Sequence, residues 1–182
     1  GKNLDEAIVE KIIFPHLQEK YEFSEILSND EKRNELKNIL KYYAEQCKKD
    51  LTDNEKSTLY MDDPIHDDNG ELIDLEIEIN RSDFNSSISE YIDRAISICN
   101  QLLKNNGLKG EELQTILPVG GPTYIPYIRD KIGSEISLNI DYSINPMTAV
   151  SAGAATYAST RIIPEDFQER DLEKLQVKLG YP

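Results

Sequence analysis

Four polar residues fall at positions i, i+3, i+4 and i+7 of one amphipathic stretch: Glu45, Lys48, Lys49 and Thr52. Helical spacing places all four side chains on a single face near the end of a long helix. By itself such a face is a solvated one, with a Glu45 to Lys49 ion pair worth about 0.3 kcal/mol. A second candidate lies further on, where the apolar run Ile116 to Val119 ends on Gly120-Gly121. Two adjacent glycines after a strand let the backbone turn tightly and come close to a ligand, because no Cβ intervenes. Pro122-Thr123-Tyr124-Ile125-Pro126 follows, and either proline can set the first turn of a helix over Ile125 to Ile132. The positive end of that helix would face whatever the glycines cradle. This element fits contact with a phosphate or nucleotide, and it equally fits a purely structural turn.

Other chemistries find little support. His16 and His66 stand far apart in the sequence, and no Cys/His cluster, Ser/His/Asp pattern or P-loop occurs. Neither a catalytic residue nor a metal site is expected. Cys47 and Cys99 both fall on apolar faces of predicted helices and read as buried thiols in a reducing cytoplasm. The formal charge of -14, from 34 acidic against 20 basic residues, repels nucleic acid and anionic membranes. No apolar run approaches the ~20 residues of a membrane span. A length of 182 residues, with 38% hydrophobic and 30% charged content, suits one soluble domain or two small subdomains. The opening Gly1-Lys2-Asn3-Leu4-Asp5 reads as cut from a longer chain.

The elements that must position these residues follow from periodicity. Leu4, Ile8, Val9 and Ile12 predict a helix from Leu4 to about Phe14, which Pro15 kinks or restarts. A loop over Glu22 to Asn29 leads to a long helix from Asp30 to about Leu51, buried along Leu36, Leu40, Tyr43, Cys47 and Leu51. Two strands come next, Ser57 to Met61 and Leu72 to Asn80, around a turn at Asp67-Asp68-Asn69-Gly70. Ile73, Leu75, Ile77 and Ile79 alternate with Asp74, Glu76, Glu78 and Asn80, giving one buried face and one acidic face. That acidic row is either solvation or a docking surface for a basic partner.

Ser82 is expected to cap a helix of about two dozen residues, with Phe84, Ile88, Ile92, Ala95, Cys99 and Leu102 on its core side. A short helix at Gly110 to Leu113 precedes the glycine strand. A second strand, Ile136 to Ile140, leads to Asn145-Pro146 and a helix over Ala149 to Ala158. The small residues Ala152, Gly153, Ala154 and Ala155 predict that this helix packs closely on a sheet. In the tail, Pro164 can start an amphipathic helix carrying Phe167, Leu172, Leu175 and Leu179, which either docks on the domain or leads to another one.

Two motifs in family-like order carry a resemblance. Leu117-Pro118-Val119-Gly120-Gly121-Pro122-Thr123-Tyr124-Ile125-Pro126 and Asn145-Pro146-Met147-Thr148-Ala149-Val150-Ser151-Ala152-Gly153-Ala154-Ala155 resemble the C-terminal part of the ATPase domain in the DnaK (seventy-kilodalton heat-shock) chaperone family. Asn80-Arg81-Ser82-Asp83-Phe84 is similar to that family's entry into its long helix, and Gly1 to Asp5 to the end of a glycine-rich segment; a tag remnant explains Gly1 equally well. The resemblance implies an α/β fold: the second lobe of an actin-like, ribonuclease-H-like ATPase domain. Residues 1–16 would lead in, 17–107 form an outer subdomain of helices and a small antiparallel sheet, 108–160 belong to the inner subdomain, and 161–182 be a tail or linker.

The resemblance also implies roles. Glu45, Lys48, Lys49 and Thr52 match Glu-x-x-Lys-Arg-x-x-Ser, whose side chains hold the adenosine of ATP or ADP. Glu45 and Lys48 would take the ribose hydroxyls, Thr52 the adenine edge, and the Lys49 stem one face of the base. Gly120 and Gly121 would admit the ribose and α-phosphate, and Tyr124 would stack on the base where the family has Arg. Pro122 replaces a Ser and Met147 an Asp, each removing polar contacts. The phosphate hairpins, the catalytic lysine and the aspartates that position Mg²⁺ would all precede Gly1, so this stretch alone is expected not to hydrolyse ATP. Implied partners are the nucleotide, the other lobe of the parent domain, and a nucleotide-exchange factor or co-chaperone. A degenerate scaffold without ATPase activity is the alternative, and an actin-like filament subunit a third.

Overall fold

A computed structural model describes residues 1–161. The first helical stretch is continuous through Pro15: α1 (Lys2–Ile8), a π-helical segment (Val9–Ile13) and α2 (Phe14–Gln18). A proline ring inside a regular helix strikes the carbonyl four residues back. Here the Phe14 N–H donates to the Val9 carbonyl, five residues back, and this widened turn opens the helix just ahead of Pro15. The expected loop before the long helix contains a short helix, α3 (Ser24–Ser28). Helix α4 (Asp30–Asp53) starts where Asn29 accepts hydrogen bonds from the Glu31 and Lys32 amides.

Three helical stretches and one side of a small sheet share a single core. Leu4, Ala7, Ile8 and Ile13 meet Leu36, Leu40, Ala44, Cys47 and Leu51 of α4. From the far side come Phe84, Ile88, Ile92 and Ile96 of α5 (Arg81–Asn105). Ala44 rather than Tyr43 completes the buried stripe of α4. Tyr43 is half-buried because its hydroxyl donates to Asp63 and accepts from the Asp62 amide.

The sheet is antiparallel, β1 (Lys56–Tyr60) against β2 (Glu76–Asn80), with Lys56 opposite Asn80 and Tyr60 opposite Glu76. The predicted second strand is therefore shorter than expected, although its alternation persists: Ile73, Leu75 and Ile79 are buried, Glu76 and Glu78 exposed. Residues 61–75 form no strand of the sheet but bond across the loop, as from Met61 N–H to Leu75 O and Ile73 N–H to Ile65 O, and the Asp68 N–H reaches the Glu22 carbonyl. Two carboxylates hold this connection in place. Asp67 accepts from the amides of Glu22, Asn69 and Glu71, and Asp68 from those of Glu25 and Ile26 at the start of α3.

Several expectations on the second half change. Asn80, not Ser82, is the N-cap residue of α5, because the Arg81 amide already donates to the Glu55 carbonyl. The core stripe of α5 runs Phe84, Ile88, Ile92, Ile96, so Ala95 points away from the core. Beyond Ile96 the helix is covered only in part: Leu103 is half-buried, and Ile98, Cys99 and Leu102 are exposed. Cys99 is thus not a buried thiol; Cys47 is, and burial raises its thiol above the ordinary range.

The two predicted strands, Ile116 to Val119 and Ile136 to Ile140, reduce to one parallel bridge, Ile116 with Ile140. Parallel strands depend on cover from both faces, and Leu117, Val119 and Leu138 are exposed. Helix α6 (Pro126–Glu135) starts on Pro126, the second of the two candidate prolines, and Pro122 falls in a 3-10 turn at Gly121–Tyr124. Helix α7 (Ala149–Ser159) forms, yet it buries no residue and Gly153 has open space around it; the expected close packing on a sheet is absent among the described residues. The predicted tail helix lies outside the described residues. No described helix is long and apolar enough to cross a membrane.

The three amide donors hold the Asp67 carboxyl below its ordinary range, with the Glu22 amide the largest cause. A carboxyl depressed in the folded state stabilises fully above its unfolded pKa of about 4, and that stability is lost as pH falls through the folded value. The stability gap between wild type and Asp67→Asn should be largest above about pH 5 and shrink on acidification. Urea unfolding across pH checks this; a gap independent of pH would contradict it.

Candidate nucleotide-binding site

The buried stripe of α4 fixes the helix in the core, so its opposite face looks outward. Glu45 and Lys49 pair there at 3.1 Å and both stay largely in solvent. The hydrogen bond from Lys49, then its charge and that of Lys48, hold the Glu45 carboxyl below its ordinary range. Lys48 turns inward instead. Its Nζ lies 2.5 Å from Asp5 Oδ1, with the two side chains only 11% and 9% exposed. The Thr52 hydroxyl donates to the Lys48 carbonyl at 2.9 Å, which uses its proton and leaves oxygen lone pairs free to accept.

Opposite α4 stands the glycine turn. Gly120 has φ +88°, a conformation that favours glycine, and its N–H donates to the Pro146 carbonyl at 2.8 Å. Thr123 closes the turn with its amide and hydroxyl both on the Gly120 carbonyl. Gly121 needs no unusual backbone angle; a Cβ there would sit 3.2 Å from Met147 Sδ. The Tyr124 hydroxyl donates to Asn145 Oδ1 at 3.1 Å, and the Met147 amide shares that oxygen at 2.8 Å. The two motifs are therefore joined through one side-chain amide.

Between these walls lies a cleft of about 720 Å³. Six of the seven sequence-selected residues line it: Glu45, Lys48, Lys49, Thr52, Gly121 and Tyr124. Gly120 does not line it but shapes the turn that presents Gly121. Pro122 and Met147 also reach the wall. A volume in this range is typical of small-molecule sites. A separate cleft of about 440 Å³, between α3, α4 and residues 63–68, contains none of the sequence-selected residues.

Sequence reasoning missed Asp5, Asp53 and Arg129. Asp53 lies one position beyond Thr52 and lines the cleft. Asp5 is 43 residues from Lys48, and only the packing of α1 on α4 reveals their pairing. Arg129 comes from α6, lines the cleft, and donates through Nε to the Thr123 carbonyl at 2.8 Å. No residue spacing signals either contact.

Fold and cleft together define a mixed α/β lobe whose one helix-to-glycine-turn cleft gathers residues about 70 positions apart in the chain. A family model described as "Hsp70 protein" matches residues 1–178, and the chain belongs to that family. The match extends into the tail, past the two motifs that carry the resemblance. A chaperone protein HscA homolog of Shewanella piezotolerans is 29% identical over 145 residues, covering 80% of this chain and 22% of the relative. The chaperone protein DnaK of Mycoplasma mobile is 33% identical over 116 residues, 64% of this chain and 19% of its own. A mitochondrial-type heat shock protein 70 of Encephalitozoon hellem is 34% identical over 117 residues, with the same coverage. The chain thus spans about a fifth or less of the curated relatives it matches. Family membership implies the actin-like ATPase fold, and mixed helices with a small two-stranded antiparallel sheet are consistent with a fragment of it.

Removing one partner of a buried ion pair strands the other charge, at a cost of about 3–5 kcal/mol. Asp5→Ala should therefore destabilise the chain by about 3 kcal/mol in urea unfolding. Adding Lys48→Met to it should recover part of the loss. Full additivity of the two substitutions would mean that the pair is not coupled.

Proposed function

We propose that this chain is the adenosine-binding lobe of an ATP-dependent chaperone. The observation that carries this reading is the convergence on one cleft of the α4 residues and the glycine-turn residues. Glu45 accepts hydrogen bonds from the ribose hydroxyls, and Lys48, anchored by Asp5, donates to them. The Lys49 stem covers one face of the adenine, Tyr124 covers the other, and a Thr52 lone pair takes the base edge. Gly120 and Gly121 let the backbone approach the ribose and the α-phosphate. The donor set suits ATP or ADP: an ionised carboxylate, an ammonium fixed in place, a hydroxyl oxygen free to accept and an aromatic face.

Mg²⁺, which keeps most of its waters and binds through one or two carboxylates and the nucleotide phosphates, would be held mainly by other parts of the parent protein. In the whole protein, nucleotide turnover would open and close this lobe against its neighbour and drive a client-handling cycle. Residues 17–107 would form the outer subdomain, a docking surface for a nucleotide-exchange factor or co-chaperone, and residues 108–160 the inner one. Free thiols at Cys47 and Cys99 suit a reducing cytoplasm.

Pro122 and Met147, both in the cleft wall, favour a second reading in which the fold persists as a scaffold without turnover. Calorimetric titration with ADP separates the two. The adenosine reading expects saturable binding that weakens about tenfold in Glu45→Ala and disappears in Gly121→Val, whose larger side chain presses on Met147. A well-folded chain that binds no ADP would leave the scaffold reading.

A further inference from the structure

Arg129 occupies an unusual place in the cleft wall. Its Cζ lies 5.5 Å from the ring centroid of Tyr124 and 4.6 Å from that of Tyr142. Nε donates to the Thr123 carbonyl, which fixes the guanidinium by its stem side, and none of the ion pairs among the described residues includes it. Tyr124 is meanwhile tethered at its other end, where the hydroxyl donates to Asn145. The ring is therefore held at three points: backbone, hydroxyl and face. It remains 37% exposed toward the cleft.

We propose that Arg129 is a positioning residue that clamps Tyr124, through the stack Tyr124–Arg129–Tyr142, as the platform for a purine base. The inference rests on the adenosine reading above. Helix α6 supplies the clamp because Pro126 starts it directly after the glycine turn, so one turn of helix brings position 129 back over residues 123 and 124. A planar guanidinium stacks on aromatic rings and holds its charge at any working pH. It covers one face of Tyr124 and leaves the other to the ligand. A cation on the covered face also withdraws electron density from the ring, which favours stacking with an electron-rich purine on the open face. Lysine has a point charge and no plane, and would reproduce the attraction but not the stack.

The chain contains no tryptophan, so Tyr124→Trp introduces a single indole reporter at the proposed platform. Its fluorescence anisotropy is measured in the purified chain, alone and in combination with Arg129→Gln or Arg129→Lys. ADP titration of each protein, and of Arg129→Gln in the Tyr124 background, runs in parallel, with urea unfolding to confirm that all are folded. The proposal expects Arg129→Gln to lower the indole anisotropy before any nucleotide is added. It also expects that substitution to weaken ADP binding about two- to fivefold, the size of a partly exposed cation–π contact. Arg129→Lys should restore only part of both. Unchanged anisotropy and ADP affinity in Arg129→Gln would overturn the clamp while leaving the adenosine reading intact. Absence of ADP binding in every protein, the parent included, would overturn the adenosine reading and the platform role with it.

Discussion

The buried pair between Lys48 and Asp5 is the contact on which the cleft depends. Two side chains about nine-tenths buried, 2.5 Å apart, join the first helix to the end of α4. A lysine in that position would otherwise extend into solvent, as Lys49 does one residue later. Because Asp5 draws it inward, Lys48 stands fixed at the base of the cleft while Glu45 and Lys49 form the rim. Buried ion pairs add little net stability, since desolvation offsets their attraction. What this one supplies is a defined position for an ammonium group. The Thr52 hydroxyl bonded to the Lys48 carbonyl tightens the same turn of helix.

The opposite wall is held together by neutral hydrogen bonds and by the Arg129 guanidinium on the Thr123 carbonyl. One oxygen of Asn145 receives the Tyr124 hydroxyl and the Met147 amide, and the Gly120 amide reaches Pro146 beside it. The glycine turn and the Asn-Pro segment are therefore a single unit, although 24 positions separate Gly121 from Asn145 and no regular sheet joins them. Pro122 brings no backbone N–H to this wall and Met147 brings an apolar thioether, while Arg129 supplies its charge. Any ligand that fills the cleft meets Glu45, Lys48 and Lys49 on one side and the Tyr124 ring beside the Arg129 guanidinium on the other.

Much of this was legible in the sequence because it rests on local periodicity. The spacing of Leu36, Leu40, Cys47 and Leu51 located α4, and the same period placed Glu45, Lys48, Lys49 and Thr52 together on the outward face. The two prolines after the double glycine bracketed the start of α6, which falls on the second, Pro126. What stayed hidden is tertiary. Asp5 reads as one more charged residue of an amphipathic helix until α1 is laid against α4, and Arg129 reads as a solvated helix residue until the turn folds back over it. The errors share one cause as well. The Ala149 to Ala158 helix, the strands at 116–119 and 136–140, and Cys99 all had the residue types of buried segments, but burial also requires a covering layer. Among the described residues none lies over α7 or Cys99, and the two strands are covered only in part, from the side of α6. Composition reports the capacity to be buried, and only neighbouring structure decides whether it is used.

The most direct test of the cleft is a map of where adenosine touches the chain. Amide NMR spectra of the labelled chain, recorded with increasing adenosine, should show shifts concentrated at two places far apart in sequence. These are residues 45–53 on α4 and residues 120–129 through the glycine turn into α6. Shifts confined to one of them, or gathered around the separate cleft at residues 63–68, would contradict a shared adenosine site.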